Sequence, residues 1–404
     1  MKILLVHNFY QQFGGEDAVA LSERRLLEQH GHEVFFYSRH NDDLREYGLL
    51  NKIAFFPDTI FSTRTAQEIR KVVQEFKPDV AYIHNFLPLV SPSVHHVLHA
   101  LKVPIIQVLH NFRPYCPNGL FYTQGTVCEK CKGGNYLHAI RNRCCKDSYM
   151  VSALYAATFA FNRAAGMVDK IDAFVCLTEF ARQKMVELGV PQSKLFVRPN
   201  FIETPPATQG PFTGNGKYVL FLGRLSAEKG LWTLIRAFEP FKDVELRVLG
   251  TGPLERELRA YARDNKLHNI AFYGFRNGED KWHLLRGCSF TVVPSEWYEN
   301  FPVSVLEAYA CGKPVVASNT GGLSYVVENG NTGLLFEPAN VSDLRGKLEH
   351  LLARPAEAAE MGTRARHLVE TKYSPRTCYE SLVRIFHSVQ AHAGVHGASA
   401  YATA

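Results

Sequence analysis

The sequence predicts an α/β protein made of two doubly wound, Rossmann-like domains. Two observations carry that expectation. A strand–loop–helix theme opens each half of the chain, and one Pro- and Gly-rich segment lies between the halves. The length of 404 residues suits two domains better than one core.

The first half opens with an apolar run at 2–6, followed by Gly14 and Gly15. Val19, Leu21, Leu26 and Leu27 then recur at helical spacing among charged neighbours, and Gly31 ends the pattern before a second apolar run at 32–37. The second half repeats the theme: a strand at 218–222, a loop from Gly223 to Gly230, a helix at 231–238 and a strand at 245–249. Further short apolar runs at 80–83, 105–109, 173–176, 270–273, 290–293 and 314–317 read as parallel strands buried on both faces. Ligands of such sheets sit beyond the carboxyl ends of the strands. His7, His84, His110 and Thr178 fall there in the first half, and Gly223, Gly250, Gly274 and Ser295 in the second.

The linker is assigned to 205–216. The expected organisation is a first domain at 1–204 with a Cys-rich insertion at about 112–148, and a second domain at 217–375. A helix at 376–391 is expected to pack back on the first domain, and the tail at 392–404 to be disordered.

Composition is that of a soluble globular protein, with 46% hydrophobic and 21% charged residues. The formal net charge of +6 is modest, and no nucleic-acid-binding module is visible. Locally, Arg113, Lys130, Lys132, Arg141, Arg143 and Lys146 face one acid, Glu129, within 110–146. That excess suits an anionic acceptor or a membrane surface, or is a solvated basic face. The 149–167 stretch after it is apolar nearly all round and reads as an interfacial helix or a core helix. No secretory signal and no bilayer-length apolar run is seen, so a cytoplasmic location is expected, peripheral to the inner face of the membrane if the basic segment meets lipid.

Three constellations carry chemistry. In Gly223-Arg-Leu-Ser-Ala-Glu-Lys-Gly230, a strand leads through a glycine-bounded loop to a helix start, where Arg224 and Lys229 suit a diphosphate. The glycine spacing fits neither a Walker loop nor a dinucleotide fingerprint. In the stretch from Pro294 to Gly312, Glu299 precedes a helix that Pro302 opens, and Glu307 lies on that largely apolar helix. A carboxylate there needs partners such as ribose hydroxyls, while Glu299 suits sugar hydroxyls and the amides near Asn300 and Phe301 a phosphate. Cys116, Cys128, Cys131 and Cys144, with Cys145 or His138 as alternatives, read as a structural zinc site; free thiols and a regulatory disulfide are the other readings.

The run Gly-Arg-x4-Lys-Gly, the pair Glu299 and Glu307 leading into Glu-Ala-Tyr-Ala-Cys-Gly-Lys-Pro-Val-Val-Ala-Ser, then Gly321-Gly322 and Asn331-Thr-Gly-Leu-Leu335, resemble glycosyltransferase family 4. The resemblance extends from Met1 to about Tyr379. It implies a GT-B fold, two domains facing each other across a cleft, with a nucleoside-diphosphate sugar held by the C-terminal domain. It also implies transfer to a polysaccharide, lipopolysaccharide or lipid-linked glycan with retention of configuration and without a required metal. By position, Arg224 and Lys229 match the diphosphate-binding pair, Glu299 the carboxylate at the transferred sugar, Glu307 the one on the ribose, and His110 the histidine beside the reacting sugar. Gly14 and Gly15 match the family's glycine loop, and Gly223 opens the donor loop. Tyr325 departs from the pattern, standing where the family usually has Glu. A GT-B-shaped epimerase and a non-catalytic sugar-nucleotide or glycan binder are the rival readings.

Overall fold

A computed structural model describes residues 1–45, 56–203, 216 and 218–399. The linker expected at 205–216 lies outside the described residues apart from Gly216, as does the chain beyond Ser399. The protein divides into two compact units. One takes Met1–Thr123, Cys128–Pro199 and the chain from Cys378 onward; the other takes Gln124–Val127 and Asn200–Thr377.

The first unit is built on a six-stranded parallel sheet: β1 (Lys2–Phe9), β2 (Glu33–His40), β3 (Val80–Ile83), β4 (Ile105–Leu109), β7 (Ala173–Cys176) and β8 (Leu195–Val197), in the order β2-β1-β3-β4-β7-β8. A hairpin of β5 (Tyr122–Thr123) and β6 (Thr126–Val127) lies within the Cys-rich insertion. β3, β4 and β7 are buried along their whole length, which is why they read as unbroken apolar runs rather than alternating ones. β1 continues to Phe9, so His7 lies inside the strand and not beyond its end.

The second unit repeats the design with β9 (Tyr218–Leu222), β10 (Glu245–Leu249), β11 (Ile270–Gly274), β12 (Phe290–Val293), β13 (Val315–Ser318) and β14 (Gly333–Phe336), in the order β11-β10-β9-β12-β13-β14. All neighbours are parallel. Both sheets are doubly wound, as the sequence predicts. Strand order reverses between β1 and β3 in one and between β9 and β12 in the other. Such a switch opens a crevice outside the strand ends, because successive crossover helices leave on opposite faces.

Helices pack on the sheets through apolar faces. In the second unit, Leu231, Leu234, Ile235 and Phe238 of the helix Leu231–Phe238 join Val219 and Phe221 of β9 in one buried cluster. The last helix, Pro375–Ser399, runs past residue 391, where the sequence predicts loss of order. That stretch is free of proline, so every residue in it can donate to the helix, although Gly394 and Gly397 disfavour it.

Candidate active site

At the switch point of the second sheet, the loops after β9 and β12 lie against each other. The β9 loop closes with a short 3-10 turn, Ala227–Lys229, and Gly230 at φ 67° starts the helix Leu231–Phe238. A Cβ at Gly230 would lie 1.8 Å from the Pro294 carbonyl oxygen, so only glycine lets the loops meet. The Glu296 amide donates to the Glu228 carbonyl at 2.8 Å and joins them further.

This apposition brings Lys229 and Glu299 together. The Lys229 ammonium donates to Glu299 Oε1 at 2.5 Å, and Ser295 Oγ donates to the same oxygen at 2.7 Å. Glu299 is buried and Lys229 half-buried, the ammonium 5.2 Å from the Trp297 ring centroid. From the other side, Gly321 and Gly322 press on the backbone that carries Glu299. A Cβ at Gly322 would fall 2.0 Å from the Asn300 carbonyl oxygen. The two glycines therefore hold the Glu299–Asn300 segment in place. Asn300 and Phe301 are buried, and the Phe301 carbonyl accepts from Asn200 Nδ2 at 3.3 Å.

Arg224 differs from Lys229. It is exposed and has no ion-pair partner among the described residues. The two cations expected to act alike thus differ in state: one is held by a carboxylate, the other is open to an anion.

Glu307 lies on the helix Val303–Ala310; Pro302, expected in the first turn, is instead the extended residue just before it. Lys281, from the helix Gly278–Gly287, donates to Glu307 Oε1 at 2.5 Å. Burial pushes the Glu307 carboxyl above its usual pKa, and the Lys281 charge offsets this only in part. Sequence reasoning missed Lys281, because its partner is 26 positions away and no local pattern links them. It placed Ser295 at a strand end but gave it no role; the hydroxyl four residues before Glu299 was the available signal.

In the first unit His110 follows β4 and is half-buried. Its Nε2 lies 2.9 Å from His84 Nδ1, with the rings stacked at 5.2 Å between centroids. Burial and the neighbouring His84 lower the His110 pKa well below its usual value, so the imidazole is neutral. Gly14 is the N-cap of the helix Gly15–Gln29, and its amide donates to Asp17 Oδ2 at 2.9 Å. Its φ of −129° is open to any residue, and a Cβ there would meet nothing closer than 3.9 Å. Neither backbone strain nor packing explains a glycine at this position.

Cys116, Cys128, Cys131 and Cys144 line one small cavity together with His138, so the four cysteines singled out by spacing do converge. Among the described residues no group of three or more His, Cys, Asp or Glu is arranged to hold a metal ion. Two of the sulfurs donate hydrogen bonds. Cys116 Sγ donates to Asn118 Oδ1 at 3.0 Å and Cys144 Sγ to Thr123 Oγ1 at 3.5 Å. Burial pushes the Cys116 thiol up to about 12 and the Cys131 thiol up to about 11.

The helix Tyr149–Ala164 divides its faces. Leu154, Thr158, Phe159 and Asn162 are buried, whereas Met150 and Phe161 are 69% and 53% exposed. No helix among the described residues is long and apolar enough to cross a membrane.

Comparison with known proteins agrees with this architecture. The family Glycosyl transferases group 1 matches residues 207–368, and Glycosyltransferase Family 4 matches residues 13–205. A D-rhamnosyltransferase of Pseudomonas aeruginosa is 36% identical over 151 residues, 37% of this chain and 39% of that protein. A glycosyltransferase of Methanocaldococcus jannaschii is 30% identical over 173 residues, 43% of this chain and 48% of that protein. The matched region thus spans about half or less of these relatives. The glycogen synthase of Mycobacterium tuberculosis is 25% identical over 318 residues, 78% of this chain and 69% of that protein. Among solved structures, Anabaena HepE in complex with UDP and glucose superposes with a TM-score of 0.68 at 18% identity, covering 96% of this chain and 100% of that one. A sucrose-phosphate synthase from Thermosynechococcus elongatus gives 0.71 at 18% identity, covering 97% and 100%. These likenesses establish the fold, and with the two family matches on successive halves they lead to one assignment: the chain belongs to the group 1 glycosyltransferases of family 4, with the GT-B fold.

Proposed function

We propose that the protein moves a sugar from a nucleoside-diphosphate sugar to a polysaccharide, lipopolysaccharide or lipid-linked glycan acceptor, with retention of anomeric configuration. The carrying observation is the Lys229–Glu299 pair beside the exposed Arg224, at the switch point of the second sheet. In this reading Arg224 and Lys229 receive the diphosphate, and Glu307 takes the ribose hydroxyls. Glu299, released in part from Lys229 by the phosphates, holds the transferred sugar. Gly223, Asn300 and Phe301 supply backbone to the same pocket.

Transfer needs the carbon–oxygen bond to the diphosphate to break while the acceptor oxygen bonds to the same carbon. Charge builds on the departing phosphate oxygen, where Arg224 and Lys229 stabilise it. Glu299 is tied to Lys229 and Ser295 and acts as a positioning carboxylate rather than a nucleophile. In the proposal the departing phosphate accepts the acceptor's proton, on the same face of the sugar, which leaves configuration unchanged. His110 orients the sugar, and Gly14 and Gly15 leave room for ligand to approach the first unit. That Gly14 lacks a local structural reason supports this.

For the acceptor, the exposed Met150 and Phe161, with the nearby exposed Arg143 and Lys146, support contact with an anionic lipid surface. The test of the function is transfer itself: incubation with a nucleoside-diphosphate sugar and glycan acceptors, with the product's anomeric coupling read by NMR. An elongated glycan with the donor's configuration is expected. A product of altered sugar configuration formed without acceptor contradicts the proposal.

A further inference from the structure

Behind His110 the first unit buries a chain of polar groups that transfer chemistry does not itself require. Glu23, from the helix Gly15–Gln29, is fully buried, and its Oε1 is paired with the Arg198 guanidinium, also fully buried. Tyr82 donates its hydroxyl to Glu23 Oε2 at 2.6 Å. His84 Nε2 lies 3.4 Å from that same Oε2, and His84 Nδ1 meets His110 Nε2 at 2.9 Å. Other titratable neighbours on this side are His7, whose Nε2 is held by Asp17 at 2.8 Å, and Cys378, which interacts with Glu23 and Arg198.

We infer that the Glu23 carboxylate sets the tautomer of His110 through His84, so that His110 carries its proton on Nε2 and presents Nδ1 as a hydrogen-bond acceptor. Burial would raise the Glu23 carboxyl, but Arg198 and His84 outweigh it and hold the group ionised. Burial keeps His84 neutral, with one ring proton to place. On Nδ1, that proton would leave the Nε2 lone pair facing a carboxylate in a dry interior, which is electrostatically unfavourable. On Nε2, it faces the Glu23 carboxylate across 3.4 Å, an electrostatic contact outside hydrogen-bond geometry, and leaves Nδ1 as an acceptor. The hydrogen in the contact between the two histidines must then come from His110 Nε2. His110 Nδ1, which has no hydrogen-bond partner among the described residues, keeps its lone pair.

Glu23 and His84 are thus positioning residues. The consequence is a rule about the ligand: the group that meets His110 must donate a hydrogen bond, as a sugar hydroxyl does, whereas a phosphate or carbonyl oxygen is refused. This deepens the proposed function and rests on the reading that His110 meets the sugar.

Long-range proton–nitrogen NMR on protein labelled with 15N-histidine reads the tautomer directly, with His110 assigned by the signals lost in His110→Gln. In the intact protein at neutral pH we expect a protonated Nε2 and an unprotonated Nδ1. In Glu23→Gln, the loss of charge should let His110 populate both tautomers. If that variant does not fold around Arg198, His84→Gln gives the same readout. The opposite tautomer, or an imidazolium, in the intact protein overturns the inference, as does an unchanged His110 signal pattern in a folded variant. The two readings separate cleanly. The expected tautomer together with a fully active His110→Gln would retain the relay and remove His110 from the reaction; the reverse tautomer with an inactive His110→Gln would do the opposite.

Discussion

Lys229 and Glu299 form a 2.5 Å ion pair across 70 positions of sequence, one from the loop after β9 and the other from the loop after β12. The pair exists because Gly230 lets the two loops touch. It keeps the ammonium preorganised where the phosphates are proposed to bind, which lowers the reorganisation needed as charge develops. We expect Arg224→Ala and Lys229→Ala each to lower turnover by at least ~10²-fold, the scale of losing an electrostatic stabiliser. Circular dichroism should show both folded, since neither side chain is part of the core. Near-normal rates of nucleoside diphosphate release in both would mean the diphosphate sits elsewhere. EDTA should leave the rate unchanged, because in this account the two side-chain cations take the place of a metal.

Glu299 and Glu307 should separate in steady-state kinetics. Glu307 is proposed to meet the ribose, which is the same in ground and transition states, so Glu307→Gln removes uniform binding and raises the donor KM. Glu299→Gln should mainly lower kcat. The converse pattern would show that the two roles are exchanged. Lys281→Ala should resemble Glu307→Gln, since Lys281 offsets the burial that opposes ionisation of Glu307.

The raised pKa of Glu307 carries a pH dependence. Its folded pKa lies above the ordinary carboxyl value because burial disfavours the charge. The folded state therefore binds that proton more tightly than the unfolded chain, and this group's contribution to stability falls as pH rises from 4.5 through the folded pKa. Donor binding runs the other way, because the ribose hydroxyls need the carboxylate. Calorimetric titration should show donor affinity falling as pH drops through a midpoint above 4.5, and Glu307→Gln should lose that transition. A wild-type midpoint at or below the ordinary value contradicts the assignment.

The cysteine cluster should behave as a set of quiet thiols. Cys116, Cys131 and Cys145 are pushed up to about 12, 11 and 12 by burial, so little thiolate exists near neutral pH. Alkylation of native protein at pH 8 should be slow at these positions and rapid after unfolding. Fast labelling of the native protein would show that they are accessible as thiolates.

Membrane contact has a direct assay. Vesicles containing phosphatidylglycerol should bind the protein, vesicles of phosphatidylcholine alone should not, and Met150→Asp with Phe161→Asp should abolish the binding. Both residues are exposed, so the fold should tolerate the change. Equal binding of the double variant would remove this face from the account.

Much of the fold was legible because parallel strands buried on both faces leave unbroken apolar runs, and those of β3, β4, β7 and β12 coincide with the strands observed. The edge strands β8 and β14 were missed: each carries only a three-residue apolar run, Leu-Phe-Val or Leu-Leu-Phe, too short to stand out. In the site, the loop glycines and carboxylates were visible as a linear motif. Contacts between distant loops were not. Nothing local marks Lys281 as the partner of Glu307, or His84 as the neighbour of His110. The cysteine spacing marked four residues that line one cavity, whereas the hydrogen bonds of Cys116 to Asn118 and of Cys144 to Thr123 had no local signal.

The central claim is that the second unit binds a nucleoside-diphosphate sugar through Arg224, Lys229 and Glu307, and thermal unfolding with a panel of such donors tests it most directly. A ligand that binds only the folded state at a hundredfold its Kd stabilises by about 2.7 kcal/mol, a shift of several degrees in Tm. We expect at least one UDP-, GDP-, ADP- or dTDP-sugar to give that shift with the wild-type protein and to lose it with Arg224→Ala and Glu307→Gln. No shift from any donor at millimolar concentration, or an equal shift in both variants, would contradict the account.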